Sequence, residues 1–154
     1  MRIYDFLQPD SIKVPVKATK KKKIIEELID FLVENGEILD RESALAAVLE
    51  REALMTTGIG DEIAIPHAKA TGVTTLVGVL GKPAKPVDWK SVDKKPVRLV
   101  FLMLSPLDRT GPHIRALSRI ARLFSQKEFR ARLIEAPDAQ TTWDVLVEED
   151  SRHR

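Results

Sequence analysis

Two histidines are the residues of this chain best suited to carry out chemistry. His67 follows Pro66 at the end of a short apolar segment, and His113 follows Gly111-Pro112. An imidazole, with an ordinary pKa of about 6.5, can act near neutral pH as a nucleophile, a proton donor or a metal ligand. The third histidine, His153, lies at the end of the chain, where side chains are commonly poorly ordered, and we set it aside.

Phosphoryl transfer is a reaction that His67 and His113 could carry out together with Arg51. In-line transfer needs a positioned nucleophile and groups that neutralise the phosphoryl oxygens. A neutral imidazole nitrogen can accept the phosphoryl group, a second imidazole can donate a hydrogen bond to one oxygen, and a guanidinium can hold another. These three residues contain that set of groups.

The glycine-rich turn before His67 is a further candidate part of a phosphate site. Thr57, Gly58 and Gly60 could offer backbone N–H groups to an anion, as small backbone nests do. Pro66 fixes its own φ and biases the preceding residue toward extended backbone. We therefore expect a short strand that ends at His67, with the imidazole held in place.

The composition predicts a single globular domain. The 154 residues are 44% hydrophobic, and the net charge of +2 comes from interspersed cations and anions, so no nucleic-acid partner is expected. The absence of cysteine excludes disulfides, thiolate catalysis and cysteine-based zinc sites, and it is compatible with a cytoplasmic protein. No apolar run approaches the roughly 20 residues that a membrane helix needs, so no membrane insertion is expected.

Hydrophobic spacing predicts helices at both ends of the chain and strands in its middle. We expect one domain of α/β or α+β architecture over residues 1–150 and a disordered tail over 151–154. The predicted helices cover 20–35, 40–54, a segment with His113 in its first turn, a segment begun by a capping box at 125–128, and 142–149. The predicted strands cover 63–68 and 74–80, which would form a two-strand unit around His67, and 97–104, which would be buried on both faces.

Taken in order, these motifs resemble the enzyme IIA components of the bacterial phosphoenolpyruvate-dependent sugar phosphotransferase system. The similarity is to the fructose/mannitol class, which also contains the nitrogen-regulatory IIA proteins, and it extends from about Asp10 to Glu135. It is carried by Arg51-Glu52, Thr57-Gly58-Ile59-Gly60, Ala64-Ile65-Pro66-His67, the apolar segment 97–104 and the segment that begins at His113. The separations of 16 residues from Arg51 to His67 and 46 from His67 to His113 agree with that family.

The resemblance implies an α/β fold with a mixed central sheet flanked by helices, and a phosphocarrier function. His67 would accept a phosphoryl group on Nε2 from the phosphorylated histidine carrier protein and pass it to a IIB component, fructose-type first. His113 would donate a hydrogen bond, Arg51 would face the phosphate, and no metal or organic cofactor is expected. We expect an apolar rim for partner docking from residues such as Ile59 and Ile63.

Other interpretations remain open from the sequence. A nitrogen-regulatory IIA protein, whose phosphorylation state controls binding to regulatory targets, fits the same motifs. A zinc hydrolase would need His67 and His113 with Asp61 or Glu62, although no metal-binding spacing such as H-E-x-x-H is present. Glu62 stands where many relatives have glycine, and we expect its carboxylate to face solvent rather than the phosphoryl site.

Overall fold

The computed structural model describes residues 1–153. Within this range, six strands form one sheet and five α-helices pack against it. The strands are β1 (Ile12–Val16), β2 (Gly58–Gly60), β3 (Ile63–Ala64), β4 (His67–Lys69), β5 (Val77–Pro83) and β6 (Leu99–Ser105). The helices are α1 (Lys21–Glu34), α2 (Arg41–Leu54), α3 (Thr110–Phe124), α4 (Lys127–Glu135) and α5 (Ala139–Ser151).

The strand β6 is the centre of the sheet. It pairs antiparallel with β5 on one side and parallel with β3 and β4 on the other, so the sheet is mixed. The order along the sheet is β1, β5, β6, β3, β2, and β4 lies off this path, paired with β6. All residues of β6 are buried, as a nearly continuous apolar segment predicts. The predicted α/β fold, with a mixed central sheet flanked by helices, is confirmed.

Each face of the sheet has its own apolar core. Val100, Leu102 and Leu104 of β6 pack with buried residues of α1 and α2. Leu99, Phe101 and Met103 of β6 pack with buried residues of α3, α4 and α5 on the opposite face. Alternate side chains of a strand point to opposite faces, so one buried strand anchors both helical layers. None of the helices in this part of the chain is long and apolar enough to span a membrane.

The segment around His67 differs from its prediction. The expected strand 63–68 is divided into β3 and β4 at Ile65-Pro66, and His67 begins β4 instead of ending a strand. Pro66 has no N–H to donate, but its carbonyl oxygen accepts from Met103 N at 3.0 Å, so β6 holds both pieces. The expected two-strand unit of 63–68 with 74–80 is wrong, because β4 and β5 flank β6 on opposite sides.

Two of the five α-helices, α2 and α5, begin at an aspartate that caps them through its side chain. The predicted first two helices are present as α1 and α2, and Asp40 caps α2 by accepting from Ser43 N at 3.1 Å. The capping box predicted at 125–128 is wrong, because Gln126 is the N-cap of α4 and makes no capping bond through its side chain. The last helix begins earlier than expected, since Asp138 accepts from Thr141 N at 2.8 Å.

The end of the chain differs from the disordered tail predicted for 151–154. Ser151 is the last residue of α5, and the carbonyl oxygen of His153 accepts from Arg2 Nη1 at 2.7 Å and from Arg119 Nη2 at 2.8 Å. These partners are distant in sequence, so the polar composition of the chain end gave no sign of them. Arg154, the last residue of the predicted tail, lies outside the described residues.

Candidate functional site

A cleft of about 430 Å³ brings together the three residues predicted to handle phosphate. His67 begins β4, His113 lies in the first turn of α3, and Arg51 lies in the last turn of α2. The three residues lie close together because of the central strand β6. This strand pairs with β4 and leads through a short loop into α3, while α2 packs on β4. The other lining residues are Ala47, Glu50, Leu54, Ala68, Lys69 and Leu107.

His67 presents one free ring nitrogen to this cleft. Its Nδ1 lies 2.6 Å from the carbonyl oxygen of Ile65, which can only accept, so Nδ1 carries the proton. Burial lowers the pKa of His67, and the charge of Arg51 lowers it further against the opposing effects of the Ile65 carbonyl and the Glu52 carboxylate. The ring is therefore neutral near pH 7, with an unprotonated Nε2.

His113 is more deeply enclosed than His67. The residue is 8% exposed, and its Nδ1 lies 2.5 Å from the hydroxyl oxygen of Ser105 at the end of β6. Burial lowers the pKa of His113 to about 4, and smaller causes are the positive charge of Lys69 and the charge that His67 carries once it is protonated. The centres of the two imidazole rings are 5.8 Å apart. Two neutral imidazoles therefore stand side by side at the cleft.

Two cations and a helix N-terminus lie beside the imidazoles, in a cleft whose lining contains one acidic residue, Glu50. Arg51 Nη1 donates to the carbonyl oxygen of Met55 at 2.9 Å, which holds the guanidinium at the end of α2. Lys69 Nζ donates to Thr110 Oγ1 at 3.0 Å, at the N-terminus of α3, where the helix dipole favours anions. Sequence reasoning missed Lys69. It follows His67 by two positions on one strand, so strand periodicity could have placed both side chains on the same face.

The glycine-rich turn does not reach the cleft, which corrects the phosphate-binding role expected for it. Thr57 N donates to Glu52 Oε2 at 2.8 Å, and the Thr57 hydroxyl donates to the other oxygen of the same carboxylate. Gly58 N donates to Thr56 Oγ1 at 3.1 Å, and Gly60 lies beside Asp93. The N–H groups of residues 57 and 58 are thus already bonded within the protein, and none of the three predicted residues lines the cleft.

Glu52, to which sequence analysis gave no role, has a structural one. Its carboxylate holds the glycine-rich turn in place by binding Thr57. Its buried carboxylate also accepts from Lys21 Nζ at 3.0 Å, and Trp89 Nε1 donates to Thr57 Oγ1 at 3.3 Å. The network ties the end of α2, where Arg51 lies, to the loop that contains the fully buried Trp89. Thr57 therefore helps to position the chain behind the site.

The apolar rim of the cleft is formed by residues other than those predicted. Leu54 is 80% exposed and Leu107 57% exposed, and both line the cleft. Ile63 is buried in the core and Ile59, although exposed, is not among the cleft residues, so the expectation for these two residues was wrong. Exposed leucines around a polar centre are typical of a surface that binds another protein.

Residues 5–149 match the model of a protein family described as "Phosphoenolpyruvate-dependent sugar phosphotransferase system, EIIA 2". The chain belongs to this family. It is 39% identical over 128 residues to the fructose-specific EIIA component of Haloferax volcanii, and the match covers 83% of each chain. It is also 35% identical over 148 residues to a nitrogen regulatory protein of Bradyrhizobium diazoefficiens, a match that covers 96% of this chain and 95% of the relative.

Longer relatives and solved structures agree with this assignment. The chain is 33% identical to the fructose-specific EIIABC component of Bacillus subtilis, and it spans 24% of that protein's length. The nitrogen regulatory protein IIA-Ntr from Neisseria meningitidis is 33% identical and superimposes with a TM-score of 0.86, covering 94% of this chain and 98% of that chain. Enzyme IIA mannitol from Escherichia coli, solved in complex with phosphorylated IIB mannitol, has the same fold, with 21% identity, a TM-score of 0.77 and coverage of 93% and 99%.

The two acidic residues next to the glycine-rich turn lie away from the histidines of this IIA protein. Glu62 Oε2 is 2.5 Å from Arg98 Nε, and Asp61 Oδ1 is 3.8 Å from Arg130 Nη2. The side chain of Glu62 is partly exposed, as expected, and the residue lines a separate depression on the surface. Within residues 1–153, no group of three or more histidine, aspartate or glutamate side chains could hold a metal ion. Neither Asp61 nor Glu62 therefore lies at the cleft, where the zinc hydrolase interpretation needs one of them beside His67 and His113.

Proposed function

We propose that this protein is a cytoplasmic phosphocarrier whose His67 accepts a phosphoryl group from a phosphorylated histidine carrier protein. It then passes the group to a IIB component, most simply of a fructose-type system. One observation carries the proposal: the Ile65 carbonyl binds Nδ1 of His67 and leaves Nε2 as the free nitrogen of a neutral ring. Membership in the EIIA family supports the phosphocarrier role itself.

The transfer step balances without an added acid or base. The lone pair of His67 Nε2 attacks phosphorus while the nitrogen–phosphorus bond of the donor breaks, and the electron pair of that bond returns to the donor imidazole. His67 keeps its Nδ1 proton, which stays bonded to the Ile65 carbonyl oxygen and stabilises the positive charge of the phosphorylated ring. No proton has to leave the cleft.

The phosphoryl group brings roughly 1.5 to 2 negative charges into a half-buried position, and that charge needs partners. Arg51 and Lys69 both line the cleft and can turn from their present acceptors toward the phosphoryl oxygens. His113, neutral and close to His67, can donate through a ring N–H. These groups stabilise the phosphorylated state and the charge that builds up during transfer.

Partner docking uses the apolar rim in this proposal. Leu54 and Leu107 lie at the edges of the cleft, and Met55, which follows Leu54 directly in the chain, is also exposed, at 67%. A partner must cover such side chains to bring its own phosphoryl-bearing residue to His67. The solved complex of E. coli enzyme IIA mannitol with phosphorylated IIB mannitol supports a IIB component as one such partner.

The experiment follows phosphorylation of His67 by intact-mass spectrometry. We expect incubation with a phosphorylated histidine carrier protein to add one heat- and acid-labile phosphoryl group to the wild type and none to His67→Ala. His153→Ala is the matched control, because this histidine lies outside the cleft, and it should be phosphorylated like the wild type. His113→Ala should react about 10-fold more slowly or worse, since it loses one donor to the transition state.

A small chemical donor, phosphoramidate, separates the chemistry from partner recognition. Labelling of His67 by phosphoramidate but not by the carrier protein would contradict the proposed donor and leave the nucleophile in place. An adduct that persists on His67→Ala, or the absence of any labile adduct on the wild type with both donors, would refute the phosphocarrier proposal.

A regulatory role is the second candidate, and it is favoured by relatives that match over nearly their whole length. The nitrogen regulatory protein of B. diazoefficiens is covered to 95%, and IIA-Ntr of N. meningitidis to 98%. In that role the added charge on His67 changes which target binds. Purified IIB of the fructose type should remove the phosphoryl group in the transport role and leave it in the regulatory one. Equal binding of all targets by His67→Asp and His67→Ala would argue against regulation.

A further inference from the structure

Ser105 is a buried polar residue at the cleft to which the transfer step assigns no part. It is the last residue of β6, is fully buried, and has its hydroxyl oxygen 2.5 Å from His113 Nδ1. Among the described residues, this ring nitrogen is the sole hydrogen-bond partner of the hydroxyl. The contact therefore decides how both groups place their protons.

Both partners of this contact are fixed by regular structure. Ser105 pairs with Lys69 across β4 and β6, and its carbonyl oxygen accepts from Ala70 N at 3.0 Å. His113 N donates to the carbonyl oxygen of Arg109 at 3.1 Å in the first turn of α3. A sheet thus positions the hydroxyl and a helix positions the ring, so the contact is built before any phosphoryl group arrives.

A neutral imidazole carries one N–H, which leaves two arrangements for the contact. If His113 Nδ1–H donated to Ser105, the buried hydroxyl proton would have no acceptor, and the opposite nitrogen, Nε2, would present a lone pair to the phosphoryl oxygens. If the Ser105 hydroxyl donates to Nδ1, both groups are bonded and Nε2 carries the proton. The second arrangement avoids an unsatisfied buried donor, which is costly in a folded protein.

We propose that Ser105 is a positioning residue that holds His113 in the tautomer with the proton on Nε2. His113 is thereby ready to donate a hydrogen bond to the phosphoryl group that His67 accepts. This inference rests on the phosphocarrier function proposed above. Ser105 itself is fully buried and touches neither the phosphoryl group nor the partner protein. Its effect reaches the reaction through the ring of His113.

The tautomer of His113 can be measured without any phosphoryl donor. In ¹⁵N-histidine-labelled, unphosphorylated protein near pH 7, NMR should show the His113 proton on Nε2. Ser105→Ala should shift His113 toward a mixture of the two tautomers, and Ser105→Thr, which keeps a hydroxyl, should restore the wild-type signals. A wild-type ring with its proton on Nδ1, or an unchanged tautomer in Ser105→Ala, would overturn the inference. Because the wild-type spectrum alone gives an answer, the inference remains testable if Ser105→Ala does not fold.

The transfer kinetics supply the functional readout. We expect Ser105→Ala to lower the maximal rate of phosphoryl transfer to His67 by about 2- to 10-fold, the loss of one neutral hydrogen bond, with KM for the donor unchanged. Ser105→Thr should recover most of the rate. Ser118→Ala is the matched control, because Ser118 is an exposed serine on the same helix as His113 and should leave the rate unchanged.

The two readouts distinguish the failure of this inference from the failure of the proposed function. A wild-type protein that accepts no phosphoryl group would refute the phosphocarrier function, while the NMR result would still report how Ser105 sets the His113 tautomer. If Ser105→Ala has an altered His113 tautomer but transfers at the wild-type rate, the role of Ser105 in transfer is refuted, whereas its role in setting the tautomer stands. A rise in KM with an unchanged maximal rate would show a role in partner docking and would also overturn the inference.

Discussion

Acidification from about pH 7.5 to about pH 5 is expected to destabilise the folded protein through His113. Burial lowers the pKa of this imidazole to about 4, whereas the unfolded chain has the ordinary value of 6.5. Between these two pH values the unfolded state binds more protons than the folded state, so the free energy of unfolding decreases as the pH decreases. The stability is fully present above about pH 6.5 and is lost as the pH falls toward 4. His67, whose pKa burial also lowers, acts in the same direction.

The magnitude follows from the difference between the two pKa values of His113. A difference of 1 in pKa corresponds to about 1.4 kcal/mol, so the change from 6.5 to about 4 amounts to roughly 3 kcal/mol when the ring is protonated in both states. At pH 5 the unfolded ring is almost fully protonated and the folded ring almost fully neutral, which gives a loss of about 2 kcal/mol. Against a typical domain stability of about 5 to 15 kcal/mol, a loss of this size is easily measured.

The assay is urea unfolding at a series of pH values between these limits, for the wild type and for His113→Gln. Glutamine keeps a group that can hydrogen-bond to the Ser105 hydroxyl, but it does not titrate. On acidification to pH 5, the His113→Gln protein should therefore lose about 2 kcal/mol less stability than the wild type. Glu37, whose pKa burial raises, acts in the opposite direction in both proteins and cancels in the comparison. Identical pH profiles for wild type and His113→Gln would refute the reasoning. His153→Gln serves as the control and should retain the wild-type loss.

Three further substitutions test other contacts of the structure. Arg51→Lys should slow phosphoryl transfer about 10-fold in the same mass-spectrometric assay, because an ammonium replaces a planar fork that can hold two phosphoryl oxygens; an unchanged rate would remove Arg51 from the site. Lys82→Met should lower the free energy of unfolding by about 1 to 2 kcal/mol in urea titrations, because the ammonium binds three carbonyl oxygens at the end of α4, whereas the exposed Lys85→Met should have no effect. Asp150→Asn should cost about 3 kcal/mol in thermal unfolding, since it leaves the buried Arg119 guanidinium, now 2.6 Å from the carboxylate, without its countercharge; a loss below about 1 kcal/mol would contradict this.

The sequence by itself predicted the five α-helices, the central strand and the residues that are proposed to react. A nearly continuous apolar segment predicts a strand buried on both faces, and β6 is that strand, because such a composition is stable only between two apolar layers. Helical spacing and the N-cap Asp40 placed α2 with its ends. The histidines could be selected because few side chains can act as nucleophile or donor near pH 7, and both follow a proline at the start of an element.

Only the tertiary structure decided which groups surround those histidines. The bond from Ser105 to His113, the position of Lys69 and the rim formed by Leu54 and Leu107 arise where β6, α2 and α3 meet. The turn at Thr57 had the composition of an anion site, but its N–H was already bonded to a buried carboxylate. Local sequence sets backbone preference and side-chain type, whereas hydrogen-bond partners and burial depend on residues that lie far apart along the chain. For this reason the sequence indicated which residues are candidates to react, and the fold determined the hydrogen-bond partners of their rings and the groups that lie around them.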